Sequence, residues 1–345
     1  MKNVGLLYGG RSNEWEISVI TAVQVMNNAR GDYTIIPLFM KDGEIIIPKN
    51  PKQFSSYTQK IQGKKAVFSK GSIKVGRKIL PLDCVILANH GGEGEDGTMQ
   101  SILSYFQIPY STAKAESMSL CMNKYLFKQY LKGINIPYVE GEKIQRGETP
   151  SFFPCILKPN HLGSSIGVQV VNSYEEYQEK SEISFAFDEE ILAEKFLLDF
   201  EEYSIASIYD GEEIILSDIE KEIATDRFFT FSEKYQKDNT VREIPARIEE
   251  SREDEIKNIV EKVVKDLSLY GVVRTDFLYD KSENKLYVNE INTIPGSFAY
   301  KLFMGKGITL NKLINKLVEI GKKKQDKVSY FSTGILSSYT TGGKK

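Results

Sequence analysis

Apolar and polar residues alternate along the first third of the chain in a pattern that predicts a sheet covered by helices. Apolar runs typical of buried strands occupy residues 4–8, 33–39 and 83–89, and helix-like stretches separate them at about 16–28 and 98–106. Strands that alternate with helices favour a parallel sheet, so we expect an α/β, Rossmann-like domain over about residues 1–115.

Segment 42–82 interrupts this alternation. It is rich in lysine and punctuated by glycine and proline. Such punctuation marks turns, so we interpret the segment as a small hairpin excursion or a surface loop.

Two amphipathic helices are the clearest signals in the last third of the chain. Apolar residues recur every three to four positions through 256–267 and again through 310–320, which is the spacing of one helix face. Earlier, a helix near 122–132 precedes two short strands, 155–158 and 167–171, with a loop of glycine and serine between them.

A charged hairpin is predicted near the C-terminal end. Arg274 and Asp276 lie two residues apart on one strand-like run, and Glu290 and Asn292 do so on the next. Side chains alternate faces along a strand, so pairing the runs through the polar turn at 280–285 gathers all four around one point. Two carboxylates and an amide oxygen suit Mg²⁺, which commonly bridges to substrate phosphates. The hairpin predicts a magnesium site and a nucleotide; a half-exposed hairpin with solvated charges is the alternative.

Composition narrows the class of protein. The 345 residues are 41% hydrophobic and 27% charged with a net charge of −2, so no basic field attracts nucleic acid or an anionic membrane. Neither a secretory signal nor a run of ~20 apolar residues is visible, and we expect a cytoplasmic protein. Cys84, Cys121 and Cys155 lie far apart in apolar stretches and are interpreted as reduced core thiols. With only His90 and His161, a histidine-rich metal site is excluded.

The loop after the strand at 155–158 carries candidate phosphate chemistry. Lys158 ends the strand, and Gly163, Ser164, Ser165 and Gly167 follow. Glycines let backbone N–H groups approach a polyphosphate, and the lysine supplies positive charge. No Walker A motif is present, so a P-loop NTPase is disfavoured. A plain hairpin with a flexible turn remains the alternative.

A second glycine-rich loop, 92–97, matches G-x-G-x-x-G between a strand and a helix. Its Glu93, Glu95 and Asp96 would repel a pyrophosphate, so a dinucleotide site is rejected on electrostatic grounds. We expect these carboxylates to complement the helix dipole and to orient an amino group of a substrate. His90 could support this loop structurally or take part in catalysis.

Several motifs, in this order along the chain, resemble an ATP-grasp enzyme and most closely the D-alanine:D-alanine ligase family. Tyr8-Gly-Gly-Arg-Ser-Asn-Glu14-Trp-Glu-Ile-Ser is similar to that family's opening signature, and His90-Gly-Gly-Glu-Gly-Glu95-Asp-Gly-Thr matches its second box. The resemblance extends over about residues 3–320. It implies a Rossmann-like domain (1–115), a central ATP-grasp subdomain (116–200), a C-terminal ATP-grasp subdomain of α+β type with the metal site (201–325) and a loosely held tail (326–345).

The same resemblance implies a role for each matched residue. Glu14 would hold the ammonium group of the first amino acid, linked to Ser164 and Tyr235 across the domains, with His90 and Glu95 nearby. The other matched groups are Lys124, Lys158, Gly163, Ser164 and Ser165 at the phosphates, Glu194 and Lys195 at adenine, Glu202 at ribose, Lys234 and Tyr235 in a closing loop, Asp276, Glu290 and Asn292 at magnesium, and Arg274 and Gly296 at the oxyanion.

The implied activity is ATP-dependent ligation of a carboxylate to an amine through an acyl phosphate, with D-alanyl-D-alanine for peptidoglycan as the default product. ATP and one or two Mg²⁺ ions, with Mn²⁺ as a substitute, would be the cofactors, and the resemblance implies a homodimer. A ligase for other amino acids or amines and a non-catalytic nucleotide-binding protein are the alternatives. A dehydrogenase is weakened by the acidic loop.

The sequence departs from the family after Gly296. The family continues with a Thr- and Ser-rich stretch that binds the carboxylate of the second D-amino acid, whereas this chain has Ser297-Phe-Ala-Tyr-Lys301-Leu-Phe303. We expect Ser297 or Lys301 to replace that contact and the aromatic residues to make the pocket smaller or more apolar. Otherwise D-alanine would be a poor second substrate.

Overall fold

The computed structural model describes residues 2–58, 60–223 and 241–323, with residues 333, 335 and 336. Within these ranges the strands form sheets of seven, four and five strands. The first contains β1 (Lys2–Gly9), β2 (Tyr33–Lys41), β3 (Glu44–Pro48), β4 (Gly63–Ser69), β5 (Ser72–Val75), β6 (Lys78–Pro81) and β7 (Cys84–Leu87). The second contains β8 (Gly141–Gln145), β9 (Cys155–Pro159), β10 (Gln169–Val171) and β11 (Glu190–Lys195). The third contains β12 (Phe200–Tyr209), β13 (Ile214–Ile223), β14 (Val241–Glu243), β15 (Gly271–Asp280) and β16 (Lys285–Asn292).

The α-helices lie between and after these strands. Those of the described ranges are α1 (Trp15–Asn28), α2 (Thr98–Tyr105), α3 (Ala115–Met122), α4 (Lys124–Gly133), α5 (Tyr174–Phe185), α6 (Glu250–Asp266) and α7 (Leu310–Lys323). None of these helices is long and apolar enough to cross a membrane.

The first sheet combines a parallel and an antiparallel part. Its order is β6-β5-β4-β3-β2-β1-β7, and β2, β1 and β7 run parallel as expected. The surface-loop interpretation of segment 42–82 was wrong, because β3 to β6 extend the sheet as an antiparallel meander. Lysines on the exposed face of β4 hide its alternation, in which only Ala66 and Phe68 are buried.

The C-terminal helix α7 packs back onto the N-terminal sheet. It contacts β7, α1 and β15, so it joins the first and third sheets. The backbone N–H of Arg30 donates to Asn311 (2.7 Å), and Tyr33 donates its hydroxyl proton to Asn315 (2.7 Å). The three cysteines are buried and free, which confirms the interpretation as core thiols.

The predicted charged hairpin forms in the expected register. Arg274 pairs with Asn292 and Asp276 with Glu290 across β15 and β16. A bulge follows, since Phe277 pairs with Val288 and leaves Asn289 without a partner on β15. Bulges redirect side chains, and here Asn289 and Glu290 both line the same cavity.

Gly321 makes the close approach of α7 to β7 possible. A Cβ at this position would collide with Sγ of buried Cys84 and lie 3.3 Å from the backbone of Tyr110. We expect Gly321→Ala to lower the free energy of unfolding by roughly 1–3 kcal/mol, the usual effect of overpacking a core. Urea unfolding followed by circular dichroism measures it. Gly133→Ala is the control, because open space surrounds Gly133 at the end of α4 and the change there should be neutral or slightly stabilising.

Candidate active site

One cavity collects side chains from the third sheet, from helices α1, α3 and α4, and from the loops after β7 and β9. Its polar lining combines carboxylates, cations and amides. The lining residues are Glu14 and Ile17 near the start of α1, His90 and Glu95 after β7, Cys121, Met122, Lys124 and Phe127 from α3 and α4, Gly163 and Ser164 after β9, Arg274 from β15, and Asn289, Glu290, Ile291, Asn292, Thr293, Ile294, Pro295 and Gly296 from β16 and the turn that follows it.

Glu14 and Ser164 meet across the cavity from different domains. Ser164 donates its hydroxyl proton to Oε1 of Glu14, which is only 8% exposed. Burial raises the pKa of Glu14, although the bond from Ser164 opposes this effect. Gly163 lies so close that a Cβ there would be 3.3 Å from Oε2 of Glu14. The carboxylate is therefore a desolvated acceptor, suited to an ammonium group that brings its own charge.

Two lysines lie at or beside the cavity, since Lys124 lines it and Lys158 contacts Asn289 of its lining. Lys124 begins α4, donates to the carbonyl of Leu162 (2.6 Å) and lies 3.8 Å from Oε2 of Glu290. Lys158 on β9 donates to Oδ1 of Asn289 (3.3 Å) and pairs with Glu194. Burial acts to lower the pKa of Lys158, but its carboxylate neighbours, Glu194 foremost, raise it above the usual value. The ammonium group of Lys158 is therefore charged.

The loop between β9 and β10 has the backbone shape expected of a phosphate-binding turn. Ser164 and Ser165 adopt φ angles of +58° and +56°, and Gly167 has +72°. The left-handed region is uncommon for residues other than glycine, so this turn is held by its surroundings. Ser184 supports it by donating to the carbonyl of Gly167 (2.7 Å).

Glu194 and Lys195 point to opposite faces of β11 and have different environments. Glu194 is buried between the ammonium groups of Lys128 and Lys158. Lys195 lies at the surface, where it pairs with Glu140, and its place beside adenine stays a prediction. Sequence reasoning missed Lys128, although a lysine inside the apolar stripe of α4 was a usable signal.

Glu202 lies on the cleft face of β12, directly between Leu278 and Glu222 of the neighbouring strands. It lines a second cavity together with Glu201, Lys221 and Glu222. Its carboxylate contributes to the raised pKa of Lys158. The ribose contact implied by the resemblance stays a prediction.

A row of polar side chains crosses the third sheet at the predicted metal site. In register it reads Glu220 on β13, Ser204 on β12, Asp276 on β15 and Glu290 on β16. Arg274 binds both oxygens of Asp276 (2.7 Å each). Glu220 and Ser204 were not singled out from the sequence, because their strands carry no motif.

The donor set fits a magnesium ion that keeps waters and phosphate oxygens as its other ligands. Asp276 and Glu290 oppose each other directly, and the amide nitrogen of Asn292 donates to Oδ2 of Asp276 (2.9 Å). Among the described residues no group of three or more His, Cys, Asp or Glu side chains is placed to hold a metal by itself. Mg²⁺ in phosphate sites is commonly bound by only one or two carboxylates, so these oxygens suffice.

His90 and Glu95 bind the protein itself rather than projecting free polar groups into the cavity. His90 Nδ1 lies 2.7 Å from the carbonyl of Ile294, and its Nε2 lies 2.8 Å from Oγ1 of Thr21. Glu95 accepts from Gly91 N (2.8 Å), Ile294 N (2.8 Å) and Thr293 Oγ1 (3.0 Å). These contacts correct the expectation that Glu95 orients a substrate amine; both residues position the turn before Gly296.

Their environment also sets the charge of both groups. Burial lowers the pKa of His90 to about 4, so the imidazole is neutral at pH 7. A neutral ring can donate from Nδ1 to Ile294 and accept at Nε2 from the Thr21 hydroxyl. Burial raises the pKa of Glu95 to about 7, with the charge of Glu14 adding to the effect.

The segment after Gly296 is placed differently from our expectation. Gly296 lines the cavity, but Lys301 is exposed and does not, and Phe298 is buried in the hydrophobic core. Ser297 is half-buried, and its N–H donates to Oγ1 of Thr21 (3.0 Å). The structure therefore gives no support to Lys301 as the carboxylate anchor or to Phe298 as a pocket wall. Lys234 and Tyr235, and the tail from 326 apart from residues 333, 335 and 336, lie outside the described residues.

Comparison with known proteins assigns the family. Models described as D-ala D-ala ligase N-terminus and D-ala D-ala ligase C-terminus match residues 3–113 and 132–319. The D-alanine–D-alanine ligase of Thermosipho africanus is 34% identical, with 97% of this chain and 98% of the relative covered. The D-alanine-D-alanine ligase structure from Coxiella burnetii has a TM-score of 0.82 at 22% identity, covering 100% of this chain and 99% of that one. The VanG D-Ala:D-Ser ligase of Enterococcus faecalis has a TM-score of 0.81 at 26% identity, covering 93% and 99%.

The fold, with the family models and relatives that match most of the chain, defines an ATP-grasp enzyme, an ATP-dependent ligase that forms C–N bonds. Within that class the chain belongs to the D-alanine–D-alanine ligase family.

Thr21 tests whether the turn at Gly296 depends on its contacts with α1. Thr21→Val keeps the shape but leaves the N–H of Ser297 without its acceptor, and a buried unpaired donor costs about 1–3 kcal/mol. We expect lower stability and slower turnover, measured by thermal unfolding and steady-state kinetics. Thr275→Val is the control. Its buried hydroxyl has no partner among the described residues, so this change should be neutral or stabilising, and equal losses in both variants would contradict the role of Thr21.

Proposed function

We propose that the protein joins two D-alanine molecules into D-alanyl-D-alanine, with cleavage of ATP to ADP and phosphate, for peptidoglycan precursor synthesis in the cytoplasm. The observation that carries the proposal is the single cavity in which Glu14 and Ser164, Lys124, Arg274 and Glu290 converge. The names of the relatives point to the same reaction.

The first D-alanine would bind with its ammonium group on Glu14. That carboxylate is desolvated and already accepts from Ser164, so a second, charged donor satisfies it well. This orientation leaves the carboxylate of the amino acid free to face Lys124 and the metal row. Attack of a carboxylate oxygen on the γ-phosphorus of ATP forms an acyl phosphate and breaks the bond to the β-phosphate, releasing ADP.

Lys124 and Lys158 would neutralise the phosphates during this transfer, with the loop at Gly163, Ser164 and Ser165 covering them. Mg²⁺, with Mn²⁺ as a substitute, would be held by Asp276, Glu290 and Asn292 and would supply further positive charge at the phosphate oxygens.

In the second half-reaction the amine of the second amino acid attacks the acyl carbon. The C–N bond forms, phosphate leaves, and the nitrogen loses a proton. Negative charge on the tetrahedral oxygen would be met by Arg274 and by the backbone N–H of Gly296, which line the same cavity. The contacts of His90 and Glu95 keep this N–H in place.

D-serine is the second candidate for the second substrate. The similarity to a D-Ala:D-Ser ligase and the departure from the family pattern after Gly296 favour testing it. Phosphate release from ATP and Mg²⁺ should be measured with D- and L-amino acids singly and in pairs, with products identified by mass spectrometry. Phosphate release with D-alanine alone supports the main proposal, whereas release only in a pair with D-serine supports the second.

We also infer a division into domains at about residues 115 and 200 and a homodimer in solution. Each sheet falls within one of these domains, and the dimer rests on family membership alone. Light scattering on the purified protein measures the mass, and a monomer at micromolar concentration would contradict the dimer.

The metal assignment predicts the behaviour of conservative variants. Asp276→Asn and Glu290→Gln each remove one anionic ligand, so turnover should fall by at least about 10²-fold at low Mg²⁺ while the fold is kept. Steady-state kinetics over a range of Mg²⁺ concentrations and thermal unfolding measure this. Glu283→Gln at the far end of the same hairpin is the control and should leave the rate unchanged. Near wild-type activity of both site variants would remove the metal assignment.

Arg274→Ala should separate catalysis from nucleotide binding. If its guanidinium meets charge only in the transition state, kcat falls by about 10²-fold or more, while the Kd for ATP changes by less than about fivefold. Calorimetry and initial rates supply the two numbers. The control is Arg252→Ala, because Arg252 stacks on Tyr279 (3.6 Å) on the other face of the sheet and should affect stability only. Loss of ATP affinity at constant kcat would instead place Arg274 at the nucleotide.

A further inference from the structure

We propose that Lys128, which contacts neither substrate, is a positioning residue that keeps Lys158 available to the nucleotide by balancing the charge of Glu194. The role assumes the ATP-dependent reaction proposed above. It adds to the site a residue that no sequence motif indicated.

The three side chains form a row inside the protein, in which the carboxylate of Glu194 bridges the two lysines. Lys128 Nζ lies 2.6 Å from Oε1 of Glu194, and Lys158 binds the other oxygen, Oε2. The side chains of Lys128 and Glu194 are each 2% exposed, whereas that of Lys158 is 14% exposed. Lys128 is therefore buried on the interior side of the Glu194 carboxylate, and Lys158 lies on its cleft side.

Lys128 is fixed by more than its ion pair. It donates to the carbonyl of Val139 (3.0 Å), and its ammonium group lies 5.8 Å from the centre of the Tyr138 ring. Burial lowers the pKa of Lys128 below its usual value, and the charge of Glu194 limits that shift. The carboxylate in turn is held ionised, because Lys128 and Lys158 lower the pKa of Glu194 to about 2.

The summed charge of these three side chains explains why two lysines are needed. Lys128 and Lys158 together with Glu194 carry one net positive charge, and Lys158 is the member of this row that lies nearest the cleft. Without Lys128 the remaining Lys158–Glu194 pair would be neutral. Glu194, buried and paired with Lys158 alone, would hold the Lys158 ammonium group tightly. Lys158 would then offer little positive charge to the nucleotide.

A purely structural role for Lys128 makes a different prediction. Loss of packing and of one buried pair would lower stability without changing ATP affinity in the folded fraction. Charge balance instead predicts that removing both members of the rear pair, Lys128 and Glu194, restores ATP binding, because Lys158 then keeps its full charge.

The test compares the Kd for ATP, measured by calorimetry with Mg²⁺, in wild type, Lys128→Met, Glu194→Gln and the double variant, with thermal unfolding of each. We expect Lys128→Met to raise the Kd on the order of tenfold. We expect the double variant to return it to within about threefold of wild type. The KM for D-alanine should stay within about twofold in every variant.

Lys143→Met is a matched control. Lys143 also belongs to the central sheet, pairs with Glu190 (2.8 Å) and lies 5.9 Å from the Tyr125 ring centre. It lies on the same face as Lys158, on the far side of Leu192, but its side chain is 36% exposed and its ion pair is with Glu190 rather than with Glu194. This variant should lose the same kind of contacts and keep the wild-type Kd for ATP.

An unchanged Kd in Lys128→Met, or a double variant no tighter than that single variant, overturns the proposal. Should Lys128→Met fail to fold, Glu194→Gln alone decides the question. This variant frees Lys158 from its carboxylate partner, so it must bind ATP at least as tightly as wild type. A tenfold loss of ATP affinity in Glu194→Gln refutes the charge-balance role. Failure of the wild-type protein to bind ATP would refute the proposed function itself, whereas wild-type binding with unaffected variants refutes only the role of Lys128.

Discussion

The register of β15 against β16 is the constraint on which the candidate site depends. It sets Asp276 opposite Glu290 and Arg274 opposite Asn292 on the face that lines the cleft. Because side chains alternate along a strand, a slip by one residue would turn all four away from Lys124 and Lys158. Buried Val273, Phe277 and Val288 on the two strands fix the register, since a slip would expose them. The hydrophobic core thus determines the geometry of a polar site.

Buried polar contacts then hold the domains around that face. Glu14 accepts from Ser164, Glu95 accepts from Ile294 and Thr293, and His90 contacts the carbonyl of Ile294. Each contact crosses between sheets, and each would leave a desolvated group unpaired if the domains moved apart. The N-terminal part of the chain therefore also fixes the turn that precedes Gly296.

The sequence predicted those parts of the structure that depend on local pattern. The hairpin of Arg274 and Glu290 and the turn at Ser164 follow from alternation and glycine placement, so they could be found before the fold. The strands of segment 42–82 were misjudged because lysines cover their outer face. The position of Lys128 and the inward contacts of Glu95 depend on residues far away in sequence, such as Glu194 and Ile294. The periodicity of apolar residues in a sequence does not show such long-range contacts.

In the turn after Gly296, the directions in which the side chains point were the hardest feature to predict from the sequence. Ser297, Phe298 and Ala299 adopt φ angles of 50°, 54° and 48°, a left-handed turn built without glycine. Each such residue costs about 1–2 kcal/mol, so local preference opposes this shape. Burial of Phe298 and the bond from Ser297 N to Thr21 offset that cost. Because Phe298 turns inward to provide this burial, the side chains that looked like a pocket wall instead support the backbone, and the cavity is bounded there by Gly296.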